Sequence, residues 1–268
     1  MTTTGQTSRG SAGVQGELWG ARARDYAQFQ EPQGRPLYED ALRRTGIGKG
    51  STVLDVGCGP GGFCRLAAEA GAIVSGIDAA RAQVEVARER VPGGRFEVGD
   101  MQSLPYDDDS FDVITGFNSF QYAADRVAAL AEARRVAKPG AVVHVVVWGR
   151  AERTELAAVL SALRPLLPPA PAGAPGPFAL SDPGALEALV ERSGMTPTSD
   201  GYLEVTFDYP DEDSLLRGNR ANGPVVLAER TSGEAAVTET VRKAFAPFRT
   251  SSGAYRIETE WRYVTARA

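Results

Sequence analysis

"VLDVGCGPGG", residues 53–62, decides the fold. Val53, Leu54 and Val56 are apolar and suit a buried strand, and glycines follow at 57, 59, 61 and 62. A strand that runs through such a turn into a helix is the first unit of a doubly wound sheet. The glycines at 57, 59 and 62 also satisfy G-x-G-x-x-G, the pattern of a dinucleotide turn. Asp55, two positions before the first glycine, speaks against that ligand. A pyrophosphate seeks the positive end of a helix, and a carboxylate beside it is repulsive.

The same alternation continues outward from this stretch. Phe63, Leu66, Ala67 and Ala70 recur at helical spacing. "AIVSGID" reads as a second strand ending at Asp78, and Val84, Ala87 and Val91 mark one face of the next helix. "GRFEVGD" is a third strand ending at Asp100, and "FDVITGFN" a fourth. A helix over Asp125 to Ala137 then leads to "AVVHVVVW", the fifth. Continuous apolar strands separated by helices predict a parallel sheet covered on both faces. Ligands of such sheets lie outside the carboxyl ends of the strands. Asp55–Gly62, Asp78, Asp100 and Gly116–Asn118 are therefore expected to converge.

Around this core the pattern divides the chain into four parts. Residues 1–16 read as a flexible polar tail, and 17–150 as N-terminal helices and the ligand-binding core. Residues 151–194 read as a linker and helices that partly form a cap. They include the Pro/Gly/Ala-rich 163–181 and a helix opened by Asp182 as N-cap with Pro183 behind it. Residues 195–268 supply edge strands with a helical cap insertion at about 210–254. "YLEVTFDY" (202–209) and "YRIETEWRYVT" (255–265) both alternate with period two, as an antiparallel pair would. Val237, Val241, Ala244, Phe245 and Phe248 give the insertion an apolar helical face.

Composition narrows the partners. The 268 residues are 43 % hydrophobic and carry a net charge of −5, which argues against a broad basic footprint for nucleic acid. No uncharged apolar stretch approaches the ~18 residues of a membrane span. Cys58 and Cys64 are the only two cysteines, with no cluster around them to make a metal site. They read as free thiols of a reducing, cytoplasmic compartment. Oligomeric state is not written in these features.

Three strand-end acids suit a cationic nucleoside without phosphates. S-adenosylmethionine (SAM) carries a sulfonium, an ammonium, two ribose hydroxyls and an adenine amino group, all matched by carboxylate acceptors. "VLDVGCGPGG", "GID", "GDMQSLPYDDDSFDVITGFNSFQYAAD" and "RVAKPGAVVHVVVW" resemble successive motifs of class I SAM-dependent methyltransferases. The resemblance covers about residues 50–150 and is nearest to the small-molecule branch (methyltransferase type 11) that includes ubiquinone/menaquinone-type enzymes.

The resemblance implies an α/β fold. It is a Rossmann-like, seven-stranded, mostly parallel sheet with the last strand antiparallel, helices on both faces and a small helical cap. It implies SAM as cofactor and S-adenosylhomocysteine as product. Gly57, Gly59 and Gly61, with Cys58 between them, would let the backbone approach the methionine part. Asp55 would orient the ligand through its ammonium group or a water. Asp78 would take the ribose hydroxyls with Ala79 beside it, and Asp100 and Met101 the adenine. Phe117, Asn118 and Gln121 would face the methyl group or the methionine carboxylate. Trp19 and Tyr26 resemble an N-terminal aromatic pair that folds over the cofactor.

The expected reaction is methyl transfer by in-line displacement to a small, partly apolar organic acceptor. Alignment supplies most of the catalysis, with reacting atoms brought to ~3–3.5 Å. The sequence is poor in bases. His144, the one histidine, stands amid an apolar strand and reads as a core residue. No catalytic residue is assigned, and an acceptor that is already nucleophilic is favoured. Trp19, Phe120, Tyr122, Trp148, Arg217 and Asn219 are the candidate substrate contacts. A SAM-binding but non-methylating enzyme, such as a cyclase or decarboxylase, and a SAM-binding regulator are the alternatives on this fold. An NAD-type oxidoreductase rests on the glycine pattern alone.

Overall fold

Seven strands are found in the computed structural model, which describes residues 11–170 and 176–268. They are β1 (Thr52–Val56), β2 (Ile73–Asp78), β3 (Arg95–Val98), β4 (Phe111–Phe117), β5 (Ala137–Trp148), β6 (Thr196–Tyr209) and β7 (Tyr255–Arg267). They form one sheet in the order β3-β2-β1-β4-β5-β7-β6. The first five run parallel, and β7 is antiparallel to both β5 and β6. The order reverses beside β1, so the crevice between β1 and β4 opens at the end of the glycine turn.

The helices are α1 (Ser11–Gly20), α2 (Ala23–Asp25), α3 (Arg35–Thr45), α4 (Gly62–Glu69), α5 (Arg81–Arg90), α6 (Arg126–Val136) and α7 (Leu156–Leu163). After them come α8 (Ala185–Arg192), α9 (Glu212–Arg220), α10 (Gly223–Ser232) and α11 (Glu234–Phe245). Strand alternation sorts the core into two faces. Val53 and Val113 pack with Ala41 of α3, Phe63 of α4 and Val84 of α5. Leu54 and Ile114 turn the other way, onto Leu130 of α6 and Leu186 of α8. Burying these side chains contributes ~1.5–3 kcal/mol for each large one, which is what holds the strand ends in place. A third cluster joins Ile257, Trp261 and Tyr263 of β7 to Val237, Val241 and Phe245 of α11. The three helices α9–α11 all lie between β6 and β7.

Two expectations change. The tail was expected to run to residue 16, but α1 begins at Ser11; residues 1–10 lie outside the described residues. Its glycines make it unpromising as a helix by propensity. Tertiary packing requires one of them, because a Cβ on Gly16 would stand 2.4 Å from the Ala79 carbonyl oxygen. Asp182 and Pro183 precede α8 instead of opening it. Gly184, left-handed at φ +84°, separates them from Ala185, and the Ala185 N–H donates to the Asp182 carbonyl in a turn. Of the Pro-rich linker, residues 171–175 lie outside the described residues.

No helix among the described residues is long and apolar enough to cross a membrane. Cys58 and Cys64 are buried free thiols.

Candidate functional site

The site begins where β1 gives way to the glycine turn. Gly57 and Gly59 adopt left-handed φ of +77° and +51°, a region costly for other residues. The Gly57 and Cys58 N–H groups both donate to the Ile77 carbonyl, at 2.8 and 3.0 Å, which stitches the turn to the end of β2. Asp78 ends that strand. One carboxylate oxygen accepts the Gly59 N–H at 2.9 Å and the other the Ala80 N–H at 2.8 Å. Burial raises its pKa, and these two N–H groups oppose the rise. Asp100 follows β3 and accepts the Gln102 N–H at 2.9 Å.

The opposite wall comes from the end of β4. Asn118 has φ +52°, an uncommon backbone for a non-glycine residue and one that clusters at functional sites. Its N–H donates to the Val146 carbonyl, and Ser119 Oγ donates to the Val56 carbonyl at 2.6 Å. The cover comes from α1 and the segment after it. The Trp19 ring stands edge-on to Tyr26 at 5.9 Å and to Tyr122 at 5.5 Å. Gln83 Nε2 donates to the Trp19 carbonyl at 2.9 Å, tying that cover to α5. Burial pushes the Tyr122 phenol up to about 12, and Tyr26 higher still, by burial first and then by Glu31.

One cavity gathers most of the expected residues. Tyr26, Gly57, Gly59, Asp78 and Ala79 line it, as do Asp100, Met101, Phe117 and Asn118. Trp19 and Tyr122, expected at the substrate, line the same space. No arginine, lysine or histidine is among the described residues of its lining.

The remaining candidates lie elsewhere. Asp55 is 2 % exposed and stands under the turn, where its carboxylate accepts the Thr115 hydroxyl at 2.8 Å. It belongs to β1, pairs with Thr115 across the ladder, and so keeps its side chain inside the sheet. Burial pushes its carboxyl up to about 7 against the Thr115 bond, with Asp78 and Glu31 adding to the rise. Asp55 is not among the residues that line the cavity. Cys58 is buried in the core with Phe96, and a Cβ on Gly61 would meet Ala87, not the cavity. Gln121 stands behind Asn118 and donates to its side-chain oxygen.

Four expected substrate contacts do not line the cavity either. Phe120 is 1 % exposed in the core beside Ile114. Trp148 stacks on Trp261 at 4.1 Å. Arg217 pairs with Asp25 at 2.6 Å, and Asn219 is buried with its amide donating to the Leu215 carbonyl. His144 is fully buried, bonded through Nδ1 to Thr265 Oγ1 at 2.9 Å and stacked on Tyr263. Burial lowers its pKa to about 4.

Sequence reasoning missed Ile77, Gly99, Ser119, Gln83, and the α1 residues Ser11, Ala12 and Gln15. Ile77 and Gly99 immediately precede Asp78 and Asp100, so strand-end logic extends to them. The α1 residues carry no such signal.

Comparison with known proteins places this geometry in context. A model of the methyltransferase domain matches residues 54–145. Methyltransferase GfsG of Streptomyces halstedii is 38 % identical over 210 residues, 72 % of this chain and 66 % of that protein, just under two thirds of its length. A malonyl-(acyl-carrier protein) O-methyltransferase of Erwinia billingiae is 30 % identical over 220 residues, 81 % of this chain and 82 % of that protein. Among solved structures, a chain of the complex between the Haloferax volcanii Trm112 methyltransferase activator and a methyltransferase superposes with TM-score 0.60 and 20 % identity. That match covers 98 % of this chain and 99 % of the other, a likeness of fold alone.

Proposed function

This chain belongs to the class I SAM-dependent methyltransferases, and from that premise we propose that it methylates a small, partly apolar organic acceptor, with SAM as the cofactor. The observation that carries the reading is the polarity of the cavity. Two strand-end carboxylates face it, and no cation does among the described residues. A pyrophosphate would find no counter-charge there, whereas a sulfonium nucleoside suits it.

The residues fit that cofactor. The turn at Gly57 and Gly59 leaves backbone close to the cavity, and a Cβ on Gly59 would find only Tyr26 within 4.0 Å. Asp78 spends one acceptor site on each of its two backbone bonds, and a carboxylate offers about four, so ribose hydroxyls find free lone pairs. Asp100, Met101 and Ile77 would hold the adenine. Trp19 and Tyr26 would exclude water above it, with Phe117, Asn118 and Tyr122 toward the acceptor. When bound, SAM supplies an electrophilic methyl group and a neutral thioether leaving group.

Neither cavity phenol is a base at neutral pH, since burial holds both protonated. His144 does not line the cavity and lies buried behind Phe117, the two ring centroids 6.4 Å apart. The acceptor therefore arrives nucleophilic: a carboxylate, an amine, an activated carbon or an ionised phenol. The likeness to the Erwinia billingiae malonyl-(acyl-carrier protein) O-methyltransferase supports an oxygen acceptor as the first to try.

Calorimetry with S-adenosylhomocysteine and with NAD tests the reading. Saturable binding of the first and silence from the second are expected; the reverse overturns it. Incubation with methyl-labelled SAM and a metabolite extract then tests transfer. Tight binding with no label in any metabolite would favour a non-methylating enzyme on this fold.

A further inference from the structure

Tyr26 reaches the cavity from a segment that is fastened to the glycine turn by one buried carboxylate. Glu31, five residues after Tyr26, is 4 % exposed. One of its oxygens accepts the N–H of Gly62, the first residue of α4, at 2.6 Å. The other meets Arg90 Nη1 at 2.5 Å, and that same nitrogen donates to the Pro60 carbonyl at 2.8 Å. Arg90 is the last residue of α5. Burial pushes the Glu31 carboxyl up, while Arg90 and the Gly62 N–H draw it down. Three elements thus meet at one side chain: the Tyr26 segment, the turn and the end of α5.

Gly62 is built around this contact. It is not among the left-handed glycines, so its backbone does not require glycine. A Cβ there would lie 2.4 Å from Glu31 Cδ. The bond also occupies an N–H that a pyrophosphate would need at the start of α4.

We propose that Glu31 is a positioning residue of the cofactor site. Through the Gly62 N–H and Arg90 it locks the Tyr26 segment onto the glycine turn, so that cofactor binding at the turn and docking of that segment are coupled. The proposal rests on the SAM reading above and adds to it a residue that touches neither cofactor nor acceptor.

Hydrogen exchange with and without saturating S-adenosylhomocysteine tests it on three variants, each also titrated by calorimetry. In the unmodified chain the ligand should slow exchange both at residues 57–64 and at residues 23–34. Glu31→Ala should weaken binding tenfold or more and confine the ligand-induced protection to residues 57–64. Gly62→Ala should do the same, although alanine is the better helix former, because it evicts the carboxylate. It carries the test alone should Glu31→Ala not fold. Glu31→Gln keeps an acceptor for the Gly62 N–H and should stay within about threefold of the unmodified chain, with both segments protected. Binding within twofold of the unmodified chain by Gly62→Ala and Glu31→Ala, with residues 23–34 still protected, overturns this proposal and leaves the SAM reading intact. A folded, unmodified chain that ignores the ligand overturns both.

Discussion

At the carboxyl ends of β1 to β4, Asp78, Asp100 and Asn118 face a cavity; around β5 to β7 the polar side chains face one another. Arg217 spends its charge on Asp25 and lies over the Phe29 ring at 4.4 Å. Arg262 is 1 % exposed between Glu187 and Asp200, the latter at 2.8 Å, and above the Tyr202 ring. Glu260 holds Arg150 at 2.6 Å. Both regions carry polar and charged residues in sequence. They differ in where the polar groups point: in the first region acceptors open onto a cavity, whereas in the second the charges pair with one another and the atoms left unpartnered, Glu187 Oε2, Arg262 Nε and His144 Nε2, are buried away from it. Polarity marks a binding site only where unused capacity faces a cavity.

The comparison breaks first at Arg262. Replacing it by methionine should cost about 3–5 kcal/mol of stability, the usual penalty for removing one partner of a buried charge pair. The affinity for S-adenosylhomocysteine should not move, because Arg262 does not line the cavity. Denaturant unfolding and calorimetry measure the two quantities. A tenfold change in affinity with the protein still folded would erase the distinction between the regions.

Asp78→Ala is the converse. It should weaken S-adenosylhomocysteine by about 1–3 kcal/mol, roughly 5- to 150-fold, since ribose donors lose a charged acceptor. The loss of stability should be smaller than for Arg262→Met, because removing a carboxylate whose burial disfavours its charge offsets part of the lost N–H bonds. An unchanged dissociation constant would take Asp78 out of the site.

This division explains what could be read from the residues alone. The parallel core was legible because β1, β2 and β4 are short, largely apolar runs closed by glycine, aspartate or asparagine at the cavity end. The β6–β7 pair was legible because period-two alternation fits no helix. Satisfaction was not legible. Nothing in the spacing of Arg217 and Asn219 says that Asp25 and the Leu215 carbonyl have taken them. The burial of Asp55 has a simpler reason: it precedes the turn by two residues and is still a strand residue, paired with Thr115. The Glu31–Gly62 contact joins positions 31 residues apart with no periodicity between them. Gly16 of α1 reads as part of a loose tail because its use is a close approach to Ala79, which only the assembled fold supplies.

The smallest effect is expected where the two regions meet along one row of the sheet. Asp55, Thr115, His144 and Thr265 are successive partners across β1, β4, β5 and β7. Both titratable groups in the row are disfavoured in their charged form, mainly by burial. Asp40 pulls His144 up and Arg44 pushes it down, both lesser effects. Between the ordinary aspartate value near 3.9 and about 7, folded Asp55 keeps a proton that the unfolded chain has lost, so stability falls as pH rises. Between about 4 and the ordinary histidine value near 6.5, the unfolded chain holds a proton that folded His144 refuses, so stability rises with pH. Each slope is about 1.4 kcal/mol per pH unit and the signs are opposite, so from about pH 4.5 to 6 the pair contributes almost nothing in the unmodified chain. Asp55→Asn should uncover the histidine slope, making the variant lose stability on acidification relative to its parent. His144→Phe should uncover the aspartate slope and gain relative stability on acidification. At pH 8 it should leave S-adenosylhomocysteine affinity unchanged and cost about 1 kcal/mol or less through the lost Thr265 bond. Urea unfolding at pH 4.8, 5.4 and 6.0 reads both slopes. Stability curves for both variants that run parallel to the parent's would show that neither group carries its proton differently in the folded state.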